Sequence, residues 1–430
     1  MLGEDTGTIR GDLARSEIPP PSNDNQFAKP HPIALLIIAI RLFFLTLVNK
    51  LVILLLTLLT RVNHNEVGMN KRITSQDVAD LAGVSRTTVS FVLNNDKRFT
   101  IRPETADKVR AAAKQLGYYP NASARALASN QTKNLGLIVS RSPQYIATDP
   151  FLPQILSGLL DVLGQNSQGL LLEWVEPGQQ LESYLELTRA HHIDGMILMT
   201  PRLDDPGMKA LEETDIPVVL MGTIPGSSLH SVDVDNKSAA DEAVCHLIGL
   251  GHTRIAFITN AALPYTSANQ RLDGYKSALQ KAGLTYDPQL VREADFDPQS
   301  GYTQMQSLLA SGQDFSAVFV ASDNVALGAY SAIQEAGLSI PEDISVVGFD
   351  DIPLASYINP TLTSVAVSGH EIAVESYNLL TRLMRDEVPE SLSVTLPTRL
   401  IARESSREIG RREKRVSEMK SAKFVSCLNN

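Results

Sequence analysis

The stretch that most limits what this chain can become is Thr74 to Leu93, TSQDVADLAGVSRTTVSFVL. Thr74 can cap a first helix, and Asp77 three residues on completes a capping-box-like pair. Val78, Leu81 and Ala82 then fall on one helical face. Gly83 supplies a flexible corner, and Ser85 restarts the chain as a second N-cap. Val89, Val92 and Leu93 point inward from the second helix, while Arg86, Thr87, Ser90 and Phe91 lie on its other side. Two helices about a Gly corner form either a helix-turn-helix or an αα-corner of a larger helical domain. The polar residues opening the second helix favour the helix-turn-helix. In such a motif the first residues of the second helix meet base edges in the major groove.

A formal net charge of −10 argues against nucleic acid until it is divided along the 430 residues. Residues 69–130 hold ten Lys/Arg against five Asp/Glu, whereas residues 131–406 hold fifteen against thirty-four. The acidity therefore belongs to one large segment, and the helix-turn-helix segment is locally basic, as a phosphate-binding module must be. The length leaves room for two or three domains, and a 43% hydrophobic composition provides ample core. Cys245 and Cys427 are too few and too scattered for a disulfide framework, so a reducing, cytoplasmic compartment is expected.

Residues 1–68 do not fit this plan. Ile33 to Leu59 is almost wholly apolar and long enough to span a bilayer, but Arg41 and the Asn49-Lys50 pair make it a poor span. It starts too late for a secretory signal and lacks a small-residue cleavage site. The remaining reading is an upstream start that adds a leader outside the working protein. Met69 opens MNKRIT a few residues before the first helix, and a chain beginning there would meet no membrane.

Downstream, Pro103 stands at the first position of a third helix, with Val109, Ala112, Ala113 and Leu116 on its apolar face and Gly117 at its end. Residues 121–129, NASARALAS, are helix-competent but too short to be stable alone. The series DVADLAGVSRTTVSFVLN followed by LGYYPNASARALAS resembles the headpiece and hinge of the LacI/GalR family of bacterial regulators. The resemblance implies a DNA-binding headpiece over 69–120 and a hinge helix over 121–130 that folds only when two subunits sit on DNA. It places Leu127 at a minor-groove wedge that kinks the duplex, with Ala124 packing beside its mate. It assigns sequence reading to Arg86 and Thr87. Phe91 departs from a frequent Arg, so its base contact is either apolar or lost, and it could equally pack against the hinge. Thr74, Ser85, Thr88, Ser90, Asn94 and Asn121 complete the DNA-binding set, mostly as phosphate contacts that position without specifying.

From Asn134 short apolar runs alternate with helical stretches: Leu135–Val139, Gly169–Trp174, Gly195–Met199, Pro217–Met221, Arg254–Thr259, Ala317–Ala321 and Ile344–Gly348. That alternation means parallel α/β sheets, and the number of strands suits two Rossmann-like subdomains with a ligand cleft at the strands' carboxyl ends. SVDVDN, HLIGLGHTRIAFI, SANQRLDGYKSAL, VFVASDNVALG and PEDISVVGFDDIPLASYINPTLTSV again resemble the same family, in order, to about Ser406. The fold class expected is thus an all-α helix-turn-helix headpiece with a hinge helix, followed by a two-subdomain periplasmic-binding-protein-like α/β effector domain over 131–406. The chain should cross between subdomains near 234, 365 and 390.

For the effector, expected to be a sugar, the resemblance implies Arg271 as the gripping fork, Asp350 as an acceptor of hydroxyls and Ser322 as a polar contact. Ser140, Asp149 and Phe151 follow the first strand on the other wall. Trp174 could stack on a sugar face or pack in the core. Asp323 reads as a helix cap. Met221 and Thr223 depart from positions where relatives place an Asp and an Arg. His246 and His252 have no carboxylate or Cys at ligand spacing, so no metal is expected, and no cofactor fingerprint or catalytic motif occurs. The tail over 407–430 is basic and reads as a solvated extension. The chain is expected to be a regulator, most simply a repressor, that works as a homodimer on a pseudo-palindromic double-stranded operator. It would not be an enzyme. The rival suggested by Ile33–Leu59 is a membrane-tethered solute-binding receptor.

Overall fold

The computed structural model describes residues 73–94, 99–120, 126, 131–141, 148–176, 178–387 and 389–409. They fall into two compact units that part between Tyr118 and Tyr119. Residues 1–72, the hinge positions Asn121, Ala124 and Leu127, and the tail from residue 410 lie outside the described residues. Among the described residues no helix is long and apolar enough to cross a membrane.

In the first unit, α1 (Ser75–Ala82) starts on a reciprocal cap. Thr74 Oγ1 accepts from Asp77 N at 3.3 Å, and Asp77 Oδ2 accepts from Thr74 N at 2.7 Å. Gly83 ends the helix in the left-handed region, with φ of 66°, where only glycine sits without strain. Ser85 Oγ accepts from Thr88 N at 3.1 Å and opens α2 (Arg86–Leu93). Val78 and Ala79, Val89 and Val92, and Ala106, Val109, Ala112 and Ala113 of α3 (Pro103–Leu116) form the core. Leu81 is 47% exposed, contrary to its expected inward position. The buried side of α1 is centred on Val78 and Ala79, which join the cluster formed with α2 and α3. That choice turns Leu81 outward.

The second unit holds two six-stranded sheets. The N-terminal subdomain contains β1 (Asn134–Val139), α4 (Leu152–Gln165), β2 (Gly169–Trp174), α5 (Gln180–Arg189), β3 (Gly195–Met199), α6 (Met208–Glu212), β4 (Val218–Met221) and β5 (His230–Val234). The C-terminal subdomain follows with α7 (Asn236–Gly249), β6 (Ile255–Ile258), α8 (Thr266–Lys281), β7 (Val291–Arg292), α9 (Pro298–Ala310), β8 (Ala317–Val320), α10 (Asp323–Glu335), β9 (Ser345–Asp350) and β10 (Thr363–Ala366). The chain then returns through α11 (Gly369–Leu383), which packs on α4, and β11 (Ser393–Leu396) before ending on β12 (Arg399–Ile401). The strand orders are β11-β5-β4-β3-β1-β2 and β12-β10-β9-β8-β6-β7. Every pairing is parallel except β12 on β10. Strands of this kind are buried on both faces, which is why their sequences read as continuous apolar runs.

The crossings fall at Asp235, between Ala366 and Gly369, and between Leu396 and Arg399. The last comes later than the expected 390, because Ser231 N donates to Leu392 O and β11 pairs with β5 before the chain leaves that sheet. The start of the tail is also docked rather than solvated. Arg407 N donates to Ser345 Oγ at 3.2 Å, Arg407 Nε to Pro341 O at 3.2 Å, and Ile409 N to Leu250 O at 2.9 Å. His252 and His246 serve the same end of the chain. His252 Nδ1 lies 2.8 Å from Ser316 Oγ and its Nε2 3.2 Å from Arg407 O, while His246 Nε2 is 3.0 Å from Ser406 Oγ.

Candidate functional site

The first unit presents one side of α2 to solvent. Arg86, Thr87 and Ser90 are exposed there, and Ser85 is exposed at its start. Other polar residues of this set are engaged locally. Thr88 Oγ1 is 2.9 Å from Ser85 Oγ, Asn94 Nδ2 donates to Ser90 Oγ at 3.1 Å, and Thr74 Oγ1 donates to Asp77 Oδ2 at 2.6 Å. Phe91 stacks on Phe99, with ring centroids 4.0 Å apart and planes 12° from parallel. Phe99 was not singled out in the sequence, where it stands in a polar loop without a motif.

In the second unit a cleft with about 860 Å³ of open space lies at the carboxyl ends of the strands, between the subdomains. Its C-terminal wall is organised by Arg271 on α8. Arg271 Nε donates to Asn236 Oδ1 at 2.9 Å, and Nη1 donates to Ala321 O at 2.6 Å and lies 3.5 Å from Asp350 Oδ1. Its guanidinium stacks 3.7 Å from the Phe349 ring centroid. Asn236 Nδ2 in turn donates to Asp233 Oδ2 at 3.0 Å, so one chain of polar groups runs Asp233–Asn236–Arg271–Asp350. Burial pushes the Asp350 carboxyl up to about 6 against the opposing pull of Arg271. Burial also lifts Asp233 to about 6, against hydrogen bonds from Val234 N and Asn236 and the charge of Arg271. At the end of β9 the backbone takes φ of 105° at Asp350 and 52° at Asp351. Such strained pairs in L residues persist where the surroundings over-determine them, often at ligand sites.

Ser322 opens α10 and lines the same wall. Asp323, expected as a cap, is instead buried as a cross-link: Oδ1 accepts from Ser364 Oγ at 2.7 Å and Oδ2 from Ile352 N at 2.9 Å. Asn324 Nδ2 donates to Phe296 O at 2.8 Å and to Thr148 O at 3.3 Å, tying the two walls together.

On the N-terminal wall Asp149 and Phe151 line the cleft, joined by Arg141. Arg141 Nη2 lies 2.7 Å from Asp149 Oδ2, Phe151 N donates to Asp149 Oδ1 at 2.8 Å, and the guanidinium sits 4.5 Å from the Phe296 ring centroid. Arg141 Nε and Asn260 Oδ1 are buried and have no partner among the described residues. The sequence reading missed Arg141, Asn260, Phe296 and Asn236. The first two immediately follow or closely follow strands β1 and β6, which was the signal available.

Two expected contacts do not reach the cleft. Ser140 is fully buried behind it, where its carbonyl accepts from Tyr265 Oη at 3.2 Å, because Arg141 takes the position facing the ligand space. Trp174 is 49% exposed, so it is neither core nor cleft. β2 is the edge strand of its sheet and carries Trp174 out to the flank.

A helix-turn-helix unit joined to a two-sheet sensor with an interlobe cleft defines a DNA-binding regulator that responds to a small molecule. Residues 74–121 match the family model for bacterial regulatory proteins of the lacI family, and residues 244–406 match a periplasmic binding protein-like domain. The HTH-type transcriptional regulator CelR of Thermobifida fusca is 35% identical over 338 residues, which are 78% of this chain and 98% of that protein. The chain belongs to the LacI family of bacterial transcriptional regulators, and its relatives act as regulators rather than enzymes. A solved CelR–cellobiose complex matches at 34% identity and a TM-score of 0.61, over 78% of this chain and 100% of that one. The lac repressor dimer bound to operator and the anti-inducer ONPF matches at 30% identity and a TM-score of 0.70, with the same coverage. The likeness takes in headpiece and sensor together, which a membrane-tethered receptor would not require.

Proposed function

We propose that the chain is a cytoplasmic, homodimeric repressor whose affinity for a pseudo-palindromic operator is set by a neutral sugar bound between the lobes. One observation carries the ligand class. Each guanidinium facing the cleft is opposed by a carboxylate, Arg141 by Asp149 and Arg271 by Asp350, while a buried donor and a buried acceptor have no partner among the described residues. With Asp233 also on the wall, no described cation of the cleft is left uncompensated to await a carboxylate or phosphate. Arg141 Nε can only donate and Asn260 Oδ1 can only accept, and a hydroxyl is able to answer either. Phe151 and Phe296 supply apolar faces for the C–H side of a sugar ring. The relatives point the same way, since CelR is seen with cellobiose.

Arg141, Asp149 and Phe151 belong to one lobe and Asn260, Arg271, Ser322 and Asp350 to the other, so a bound sugar favours one state of closure. If that state disfavours folding of the hinge helix at 121–130, operator affinity falls by the ligand's differential affinity for the two states, and the coupling is reciprocal. Within the operator complex Arg86 and Thr87 read bases, the hydroxyls and amides around them hold phosphates, and Leu127 enters the minor groove beside Ala124 of the hinge. A thermal-shift screen against sugars and nucleobases tests the ligand class. A midpoint raised by one or more neutral sugars supports it. A response confined to nucleobases or to anionic ligands refutes it.

A further inference from the structure

Phe91 lies four residues after Thr87 on α2, on the same side of the helix. It faces away from the core that Val89 and Val92 help to build. Phe99, in the connection between α2 and α3, is 49% exposed. The two rings stack at 4.0 Å on each other, and neither belongs to the apolar cluster of the headpiece. A small basic module that already has a closed core thus keeps a paired aromatic surface beside its base-reading residues.

A phenyl ring offers no hydrogen bond to a guanine or adenine edge and none to a phosphate. The apolar group that a base presents in the major groove is the C5 methyl of thymine. We propose that Phe91 reads a thymine methyl in each operator half-site and that Phe99 is its positioning residue. The stack covers one face of Phe91 and restricts its ring, leaving the other face and edge for the base. The inference rests on α2 being the reading helix. It goes further in assigning the Phe91 contact to one chemical group and in bringing in Phe99.

The test uses the intact protein and an operator obtained by selection from random duplexes. Each thymine of a half-site is replaced in turn by deoxyuracil, which removes only the methyl, and affinity is read by fluorescence anisotropy. At one position the wild type is expected to bind the uracil duplex about five- to tenfold more weakly. Phe91→Ala should bind both duplexes alike, and Phe99→Ala should show a reduced methyl penalty at that same position. Affinity for a random-sequence duplex reports whether each variant's headpiece is folded, and Phe91→Leu, which keeps an apolar group, should retain part of the discrimination. A selected operator whose methyl sensitivities are unchanged in Phe91→Ala overturns the proposal and leaves the regulator reading standing. Failure of the wild type to select any sequence would strike both.

Discussion

The Arg271 guanidinium lies 3.5 Å from the Asp350 carboxylate and 3.7 Å from the centroid of the Phe349 ring beneath it. A buried cation is thereby held by a charge on one side and a π face on another, with Asn236 and the Ala321 carbonyl taking further donors. Held this way, the guanidinium is a fixed fork at the floor of the cleft. The arrangement makes local stability depend on Arg271, and under the proposed function ligand affinity depends on it as well.

Arg271→Ala leaves Asp350 without its countercharge and Asn236 without its donor. Breaking a buried pair by removing one partner destabilises by about 3–5 kcal/mol. Denaturant unfolding should show a loss of that order, and anisotropy below the new midpoint should show operator binding that no sugar alters. Arg271→Lys keeps the charge without the planar fork, so stability should suffer less than effector affinity. A fully inducible Arg271→Ala variant would remove the residue from the site.

The Asp350 carboxyl gives a pH signature with two opposite signs. Burial raises it from 3.8 to about 6 in the folded chain. Its contribution to stability is therefore fully present below about pH 4 and is lost as pH rises through about 6. Compared with Asp350→Asn, the wild type should lose roughly 3 kcal/mol of relative unfolding free energy between about pH 4 and pH 7. Sugar affinity should move the other way, falling by up to about tenfold per pH unit below 6 as the accepting carboxylate is protonated. Relative stability that is flat with pH would contradict the assignment.

Asn260 separates ligand contact from structure. Its Nδ2 donates to Ser267 Oγ at 3.1 Å, while its Oδ1 has no partner among the described residues. Asn260→Ala removes one hydrogen bond and one buried unpaired acceptor together, so unfolding free energy should change by less than about 1 kcal/mol. Sugar affinity, measured by calorimetry, should fall about tenfold or more. Unchanged affinity would place Oδ1 outside the ligand contacts.

The C-terminal subdomain depends on a close crossing of α9 and α10. A Cβ at Gly328 would run into the Pro298 carbonyl oxygen and lie 2.6 Å from Tyr302 N, both backbone atoms that cannot step aside. Gly328→Ala should destabilise the sensor by about 2–3 kcal/mol or more and lower its thermal midpoint, while the headpiece unit keeps its own helices.

How much of this was legible depended on how local each cause was. The Thr74–Asp77 cap, the Gly83 corner and Ser85 lie within a dozen residues, and the two helices follow from them. Leu81 was misread because the buried side of so short a helix is chosen by α2 and α3, not by its own periodicity. The strand runs and the helix after each were readable because parallel strands are apolar on both faces. Strand order was not, and order is what carries Trp174 to the flank while Arg141 faces the cleft. Arg271, Asp350, Asp149, Phe151 and Ser322 were found through motifs at strand and helix ends, and the structure brings them into one cleft. Phe296 reaches it from a loop with φ of 61°, and no motif announced it. Phe99 meets Phe91 from beyond the end of α2, with no shared periodicity to link them.

Under the proposed function, occupancy of the cleft controls operator affinity. That control is tested most directly by titrating the selected operator with the intact protein, with and without a saturating sugar that raises the thermal midpoint. The expected shift in operator Kd is about tenfold or more, matched in size by a reciprocal shift in sugar affinity, and absent in Arg271→Ala. A sugar that binds tightly in the cleft and leaves the operator Kd unchanged would contradict it.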